Sequence, residues 1–248
     1  MSRLSPCGRF DGDVNMQPSG PGHGFWDLLT REEQRVLLSL GRERDYSPGM
    51  ALCVEGEPAT HVFILLDGWV KIISASEDGR QSILALRGAG EVVGETAGET
   101  TGHRNATLQA VVTVRALIVG YDRFSSFLDT YRGGGRAYRR VLAHRWSDAD
   151  TMLRIRTATN GTQRLAGLLL GLAERLGGQA EGIIEIALPL SQDELASLAG
   201  TSRATVTRAL NGWRQRGLIR TGQRRITLTD VPGLRRAAGR ALATPSPG

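Results

Sequence analysis

The 248-residue chain carries 31 Lys and Arg against 25 Asp and Glu, a formal net charge of +6, which leaves room for two modest domains and fits a polyanionic partner. Its two cysteines, Cys7 and Cys53, suggest no disulfide framework and cannot supply a four-thiolate iron–sulfur cluster. No apolar run reaches the roughly 18–20 residues of a membrane span, and Met1 to Arg9 lack the apolar core of a secretion signal, so a soluble cytoplasmic protein with no membrane partner is expected.

Residues 1–24 are rich in Gly, Pro and polar residues and read as a disordered tail. From Phe25 to about Leu40 the spacing predicts an amphipathic helix, with Thr30 as N-cap and Glu33 completing a capping box. From Tyr46 to Val119 short apolar runs recur between glycines, at 51–54, 61–66, 69–74, 82–86, 91–93, 106–111 and 113–119. Short strands at this spacing predict a β-barrel or sandwich, and Asp78-Gly79 is a hairpin turn signal. Residues 122–130 read as a short helix. After Gly133-Gly134-Gly135 a long helix is predicted from Arg136 to about Arg156. On it Tyr138, Leu142, Arg145/Trp146, Ala149 and Met152/Leu153 recur at three-to-four spacing, a seam suited to another helix; the alternative is packing on the chain's own barrel. Thr162 to Leu176 is a further amphipathic helix, with Leu165, Leu168, Leu169 and Leu172 apolar, ending at Gly177-Gly178. No internal repeat occurs.

Residues 188–228 are the most informative. Ser191 and Glu194 form a second capping box, and Leu195, Leu198 and Ala199 give the short helix an apolar face. Gly200 fits its C-terminus, and Ser202 can cap the next helix. There Val206, Leu210 and Trp213 make a buried stripe, leaving Arg203, Ala204, Thr205, Thr207, Arg208 and Asn211 on other faces. Arginine can bond two acceptors on a guanine edge, which suits Arg203 in the first turn of this helix. Arg214, Arg216, Arg220, Arg224 and Arg225 are better placed for phosphates. A polar hairpin follows. This order is that of a winged helix-turn-helix, which puts one helix into the major groove of duplex DNA. A helical hairpin with a merely solvated basic face is the alternative. No Ser/His/Asp arrangement, metal-spaced His/Glu pair or Walker loop points to an enzyme. His23, His61, His103 and His144 are scattered, so no metal site is expected, and His103 reads as a solvated loop residue.

A glycine-punctuated barrel, a long helix and a winged helix-turn-helix, in that order, resemble the CRP/FNR family of bacterial transcription regulators over about residues 25–230. The barrel markers are Pro48-Gly49, Glu55-Gly56-Glu57, Asp67-Gly68-Trp69-Val70 and Asp78-Gly79-Arg80. The strongest is Gly90-Glu-Val-Val-Gly94-Glu95 followed by Arg104-Asn105-Ala106-Thr107, which is similar to the phosphate-binding cassette of cyclic-nucleotide domains. The resemblance implies an α+β protein: a cyclic-nucleotide-binding-like barrel of double-stranded jelly-roll type over 25–130, a dimerisation helix over 131–158 and a winged helix-turn-helix domain over 159–240, with a second tail over 241–248.

The cassette also makes chemical sense. A cyclic nucleotide carries one phosphodiester charge, which arginine can grip with two bonds, and a ribose hydroxyl that can donate to a carboxylate. Small residues let backbone amides approach the anion. By resemblance Glu95 is the ribose acceptor and Arg104 the phosphate clamp. Gly94, Thr96 and Ala97 bring backbone groups near, Asn105 stands where the family often has Ser or Thr, and Arg145 lies near the ribose acceptor. Thr96 departs from the usual apolar residue, and Asp148-Ala149-Asp150-Thr151 lies where cyclic-AMP-binding members offer Thr-Ser to adenine. Glu95 and Arg104 therefore read either as a cyclic-nucleotide site, cyclic AMP included, or as an ion pair in a vestigial pocket. The recognition helix begins Arg203-Ala204-Thr205-Val206, with Arg208 further on, where the best-known branch has Arg-Glu-Thr-Val and a later arginine. By resemblance Arg203 and Arg208 therefore carry over as base readers, and Ala204 in place of the glutamate implies an altered preference at one step of each half-site. The implied regulator is a homodimer on two-fold-related half-sites, controlled by an effector in the barrel, with RNA polymerase as a further partner. The alternatives are a regulator of this fold that binds DNA without nucleotide, and a nucleotide-binding module acting on a protein partner.

Overall fold

The first helix, α1 (Arg31–Leu40), is set by its cap: the Thr30 hydroxyl accepts from the Glu33 amide at 3.2 Å, and the Glu33 carboxylate accepts from the Thr30 amide at 2.9 Å. The N-cap must leave helical geometry, so the helix expected from Phe25 starts later, behind a single 3₁₀ turn at Trp26–Leu28. The computed structural model describes residues 24–75, 81–96, 102–158, 160–176, 183–187, 189–223 and 225–239. Residues 1–23 and 240–248, the Asp78-Gly79 turn, Ala97, Gly177-Gly178 and Arg224 lie outside the described residues.

The strands that follow are β1 (Gly41–Tyr46), β2 (Ala51–Cys53), β3 (His61–Asp67), β4 (Trp69–Ala75), β5 (Gln81–Gly88), β6 (Val92–Val93), β7 (Thr107–Ala110) and β8 (Val114–Gly120). They form two antiparallel sheets, in the orders β1-β8-β3-β6 and β2-β7-β4-β5. Phe63 and Leu65 of β3 pack with Val70, Leu108 and Ala110 of the other sheet, whereas Val62 and Ile64 face the helices. Side chains alternate across a strand, so a strand buried on both faces shows an unbroken apolar run. Strand β1 escapes sequence reading because it is an edge strand, Gly41-Arg-Glu-Arg-Asp-Tyr46, exposed along most of its length; charge on an edge blunts pairing with other chains.

Helix α2 (Tyr121–Thr130) leads into α3 (Arg132–Ala158). The glycine triplet, expected to precede the long helix, lies in its first turn. A Cβ on Gly133 would stand 2.2 Å from Glu33 Oε1, and one on Gly134 2.6 Å from the Phe127 ring. The glycines thus permit close approach, and the Gly134 amide donates to Glu33 Oε1 at 3.0 Å. Further along, Tyr138 leaves the expected seam. With Ala137 and Val141 it is buried in the chain's own core, edge-on to Phe25 and Phe124. Leu142 and Trp146 remain outside, 37% and 81% exposed.

The C-terminal half comprises α4 (Gly161–Leu176), β9 (Ile184–Ile186), α5 (Gln192–Ala199), α6 (Arg203–Gln215), β10 (Ile219–Gly222), β11 (Arg225–Leu228) and α7 (Val231–Ala238). Strand β9 adds to the hairpin in the order β10-β11-β9. Helix α7 starts at Asp230, whose side chain accepts from the Gly233 amide. Neither β9 nor α7 was expected. The apolar cluster of this half takes in Trp69 and Leu86 from the sheet of β4 and β5, so the two halves share buried surface. Among the described residues no helix is long and apolar enough to cross a membrane.

Candidate functional site

The α5–α6 unit is built from its caps. The Ser191 hydroxyl accepts from the Glu194 amide and the Glu194 carboxylate from the Ser191 amide. Gly200 ends α5 in the left-handed region at φ 59°, and the Arg164 guanidinium takes the Ala199 and Gly200 carbonyls at 2.9 and 2.7 Å. The Ser202 hydroxyl accepts from the Thr205 amide and opens α6. Val206, Leu210 and Trp213 are all buried, which fixes the opposite face of α6 outward. Arg203, Ala204, Arg208, Asn211 and Arg214 are exposed, and Thr205 and Thr207 half-buried.

Several of the outward side chains are held by neighbours. The Thr207 hydroxyl donates to Gln192 Oε1 at 2.6 Å, which joins α6 to the start of α5. Arg203 pairs with Asp193 at 3.2 Å in the open. Arg214 bonds Asn211 and reaches Thr221 on the hairpin at 3.3 Å. Arg225 pairs with Glu185 of β9 at 3.4 Å. The pairing of β10 with β11 runs from Ile219 and Leu228 to Gly222 and Arg225. An exposed helix face with arginines at its start and middle, flanked by a hairpin, is a surface that can enter a groove and hold the backbone beside it.

The second site lies at the end of β6. Gly94 has φ 81°, and a Cβ there would stand 2.5 Å from Arg104 Nη1, so glycine is needed for conformation and for space. Arg104 is 3% exposed. Its Nη1 donates to the Gly94 carbonyl at 2.8 Å and its Nη2 to the His61 carbonyl at 2.7 Å, with the guanidinium 5.3 Å from the Phe63 ring centroid. Its Nε is buried without a hydrogen-bond partner, and it makes no ion pair among the described residues. Glu95, also buried, accepts instead from Arg145 Nη1 of α3 at 2.6 Å. The structure therefore brings Glu95 to Arg145 and Arg104 to Gly94, while Thr96 and Asn105 are exposed beside them. Burial and the nearby Arg104 charge hold the His61 imidazole below its usual range, and burial pushes the Cys53 thiol up.

Between the two sites runs a junction that sequence reading missed. Lys71 of β4, the only lysine in the chain, pairs with Glu194 of α5 at 2.6 Å. Burial raises the Glu194 carboxyl, and the bonds from Lys71 and Ser191 outweigh it, so the group lies below its ordinary range. The Ile83 amide of edge strand β5 donates to the Ser197 hydroxyl at 2.8 Å. Arg175 of α4 pairs with Glu91 at 2.6 Å and lies 4.9 Å over the Trp69 ring. Arg87 stands 3.4 Å from the same glutamate; burial lowers its pKa, Glu91 opposes that, and Arg145 and Arg175 add to it. Apart from Arg87 and Glu91, these partners are far apart in sequence, so no local pattern could have announced the junction.

Two family models match the chain: a cyclic nucleotide-binding domain over residues 43–131 and a Crp-like helix-turn-helix domain over residues 163–237. The CRP-like cAMP-activated global transcriptional regulator of Mycobacterium tuberculosis is 32% identical over 194 residues, covering 78% of this chain and 87% of that protein. The cyclic AMP receptor protein of Thermus thermophilus is 27% identical, covering 81% of this chain and 90% of the other. Among solved structures, FixK2 from Bradyrhizobium japonicum shares the fold with a TM-score of 0.68 at 23% identity, over 79% of this chain and 96% of that one. The Mycobacterium tuberculosis relative is named a transcriptional regulator, and members of its family are transcription regulators, not enzymes. With the cassette, the helix-turn-helix and this likeness in view, the chain belongs to the CRP/FNR family of transcription regulators.

Proposed function

We propose that the protein is a homodimeric, sequence-specific regulator whose DNA binding is controlled by an anionic effector of the cyclic-nucleotide class. In this reading residues 25–130 are the sensor, 131–158 the dimer helix and 159–240 the DNA-binding unit. The observation that carries it is Arg104. A buried guanidinium without a counter-charge is costly, and this one, which has none among the described residues, sits beside a glycine-lined turn with a donor to spare. A phosphodiester supplies the missing charge. Arg104 would clamp it, Glu95 would accept from the ribose hydroxyl, and the backbone from Gly94 through Thr96 and Ala97, with Asn105, would line the rest. That the Mycobacterium tuberculosis relative is named for activation by cyclic AMP supports the class.

In the same reading Arg203 and Arg208 read base edges. Ser191, Ser202, Ala204, Thr205, Thr207, Asn211, Arg214, Arg224 and Arg225 line or grip the duplex. Two copies would pair along the Leu142–Trp146 face, because an indole left so open at the side of a helix is a large apolar surface awaiting cover. Contact with RNA polymerase and residence in the cytoplasm complete the proposal. A ligand can shift the DNA-competent arrangement only by binding it more tightly than the other.

Calorimetry with cyclic AMP, cyclic GMP and cyclic dinucleotides tests it, with Arg104→Ala as control. Binding that the substitution abolishes is expected; binding that survives it would place the effector elsewhere. A second reading, DNA binding without nucleotide, draws on the pairing of Glu95 with Arg145, which already satisfies the ribose acceptor internally. DNA affinity unchanged by any of these nucleotides would favour that reading.

A further inference from the structure

We infer that Glu91 couples the effector pocket to the seating of the DNA-binding half. The inference rests on the reading of Glu95 as an effector-binding carboxylate. Glu91 precedes β6 and touches three other elements. Its Oε2 accepts from the Gly88 amide at 2.7 Å and from Arg175 Nη2 at 2.6 Å. Its Oε1 lies 3.4 Å from Arg87 Nε and 3.7 Å from Arg145 Nη2. Arg175 belongs to the last turn of α4 and also donates to the Leu86 carbonyl at 3.2 Å. Arg145 belongs to α3 and is held by Glu95 Oε1 and the Val92 carbonyl, each at 2.6 Å.

The hub sets three guanidinium groups, on Arg87, Arg145 and Arg175, against two carboxylates, Glu91 and Glu95. Among the described residues one positive charge is in excess, and Nε of Arg87 and of Arg145 are buried without hydrogen-bond partners. Partners in such a hub are shared, so a change at one carboxylate is felt at the other. A hydroxyl donating to Glu95 Oε1 competes with Arg145 for it. Once released, Arg145 has Glu91, among the described residues, already within ion-pair reach. As Arg145 moves toward Glu91, it competes with Arg175. The grip of α4 on β5 then loosens, and with it the docking of α5 through Lys71 and Ser197. Occupancy at Glu95 is passed along Arg145, Glu91 and Arg175, a contiguous path between two sites that a two-state docking can read.

The single lysine supplies the readout, because its ammonium is engaged only while the halves are docked. Amine-reactive labelling of Lys71 in the full-length protein, followed by mass spectrometry, measures opening. Glu95→Gln keeps the side-chain shape, removes the charge that holds Arg145 and needs no ligand. It is expected to speed Lys71 labelling about fivefold or more, the scale of an ordinary coupling between sites. Glu91→Gln is expected to do the same, as is Arg175→Gln, which cuts the same bond from the other side. The double variant Glu95→Gln/Glu91→Gln should label no faster than Glu91→Gln alone. No acceleration in Glu95→Gln, or full multiplication of the two effects in the double variant, overturns the inference. Saturating cyclic AMP should accelerate labelling in the wild type and not in Glu91→Gln; equal acceleration in both also overturns it. If calorimetry shows no nucleotide binding, the effector reading fails, and the ligand-free cycle of variants still decides the role of Glu91.

Discussion

Replacing Arg203 by alanine separates base reading from backbone gripping. The Arg203 side chain is 68% exposed at the first position of α6, and its ion pair with Asp193, itself 65% exposed, is 3.2 Å long. An arginine bonded to a guanine edge discriminates by about 1–3 kcal/mol, and an open ion pair of this kind contributes about 0.2–1 kcal/mol. Taking about 2 kcal/mol for the guanine bond, and subtracting about 0.5 kcal/mol for the pair that DNA binding must break, leaves about 1.5 kcal/mol per half-site. Two half-sites give about 3 kcal/mol, roughly a 150-fold loss of affinity. The side chain buries little, so stability should change by no more than about 0.5 kcal/mol. Fluorescence anisotropy with a selected duplex and a scrambled one, across a series of salt concentrations, measures the effect. The selected duplex should lose most of its advantage, while the scrambled duplex and the salt slope barely move. An arginine that grips phosphate behaves differently: both duplexes weaken together, and the slope falls by about 0.9 for each phosphate no longer neutralised. That pattern in Arg203→Ala would refute its assignment as a base reader.

Three further outcomes follow from the same geometry. Gly200→Ala places a Cβ on a left-handed residue at φ 59°, which costs about 1–2 kcal/mol; a Tm unchanged by the substitution would show that the α5–α6 turn is not held in that conformation. Trp213→Ala empties the centre of the C-terminal cluster, where the ring is 1% exposed, and should destabilise the protein by about 3–5 kcal/mol in urea unfolding, with DNA binding lost in proportion. Glu194 lies below its ordinary carboxyl value of 4.5 in the folded chain. Its stabilisation is therefore complete above the unfolded value and is lost as pH falls through the folded one. Urea midpoints measured from neutral pH down to about 3 should show an acid decline that Lys71→Gln makes shallower; parallel curves for the two proteins would remove Lys71 as the cause.

Local grammar made much of this protein legible. Both capping boxes, the left-handed Gly200 and the stripe of Val206, Leu210 and Trp213 are properties of a few adjacent residues, and each stands as read. The apolar run at 61–66 reads as a strand and stands as β3, which is buried on both faces. What escaped did so for physical reasons. Strand β1 has no apolar face because it is exposed at a sheet edge. Gly133-Gly134-Gly135 reads as a break, yet the missing side chains make room for Glu33 and Phe127 beside a continuing helix. Tyr138 fits the period of the outward seam, but its ring is taken by Phe25 and Phe124. Around Glu95, the resemblance already set Arg145 near that carboxylate, 50 residues away; what no local pattern announced is that Arg104 turns to the Gly94 and His61 carbonyls instead of to Glu95.

The two capping-box glutamates show why the halves of the chain are more firmly joined than their separate motifs suggest. A capping box uses a carboxylate to hold the amide of its own N-cap, and one oxygen suffices for that. In Glu33 that oxygen is Oε2, and Oε1 accepts from Gly134 at the start of α3. In Glu194 it is again Oε2, and Oε1 accepts from Lys71 of β4. Each residue therefore starts a helix and fastens that helix to an element far along the chain. An alanine at either position removes both functions at once, whereas Lys71→Gln removes the long-range bond and leaves the α5 cap in place. Helix α1 is thereby fixed to the helix that carries Arg145, and α5 to the strand beside β5. The helix-turn-helix is thus anchored to β4, and the long helix to α1, through caps whose sequence signature is purely local.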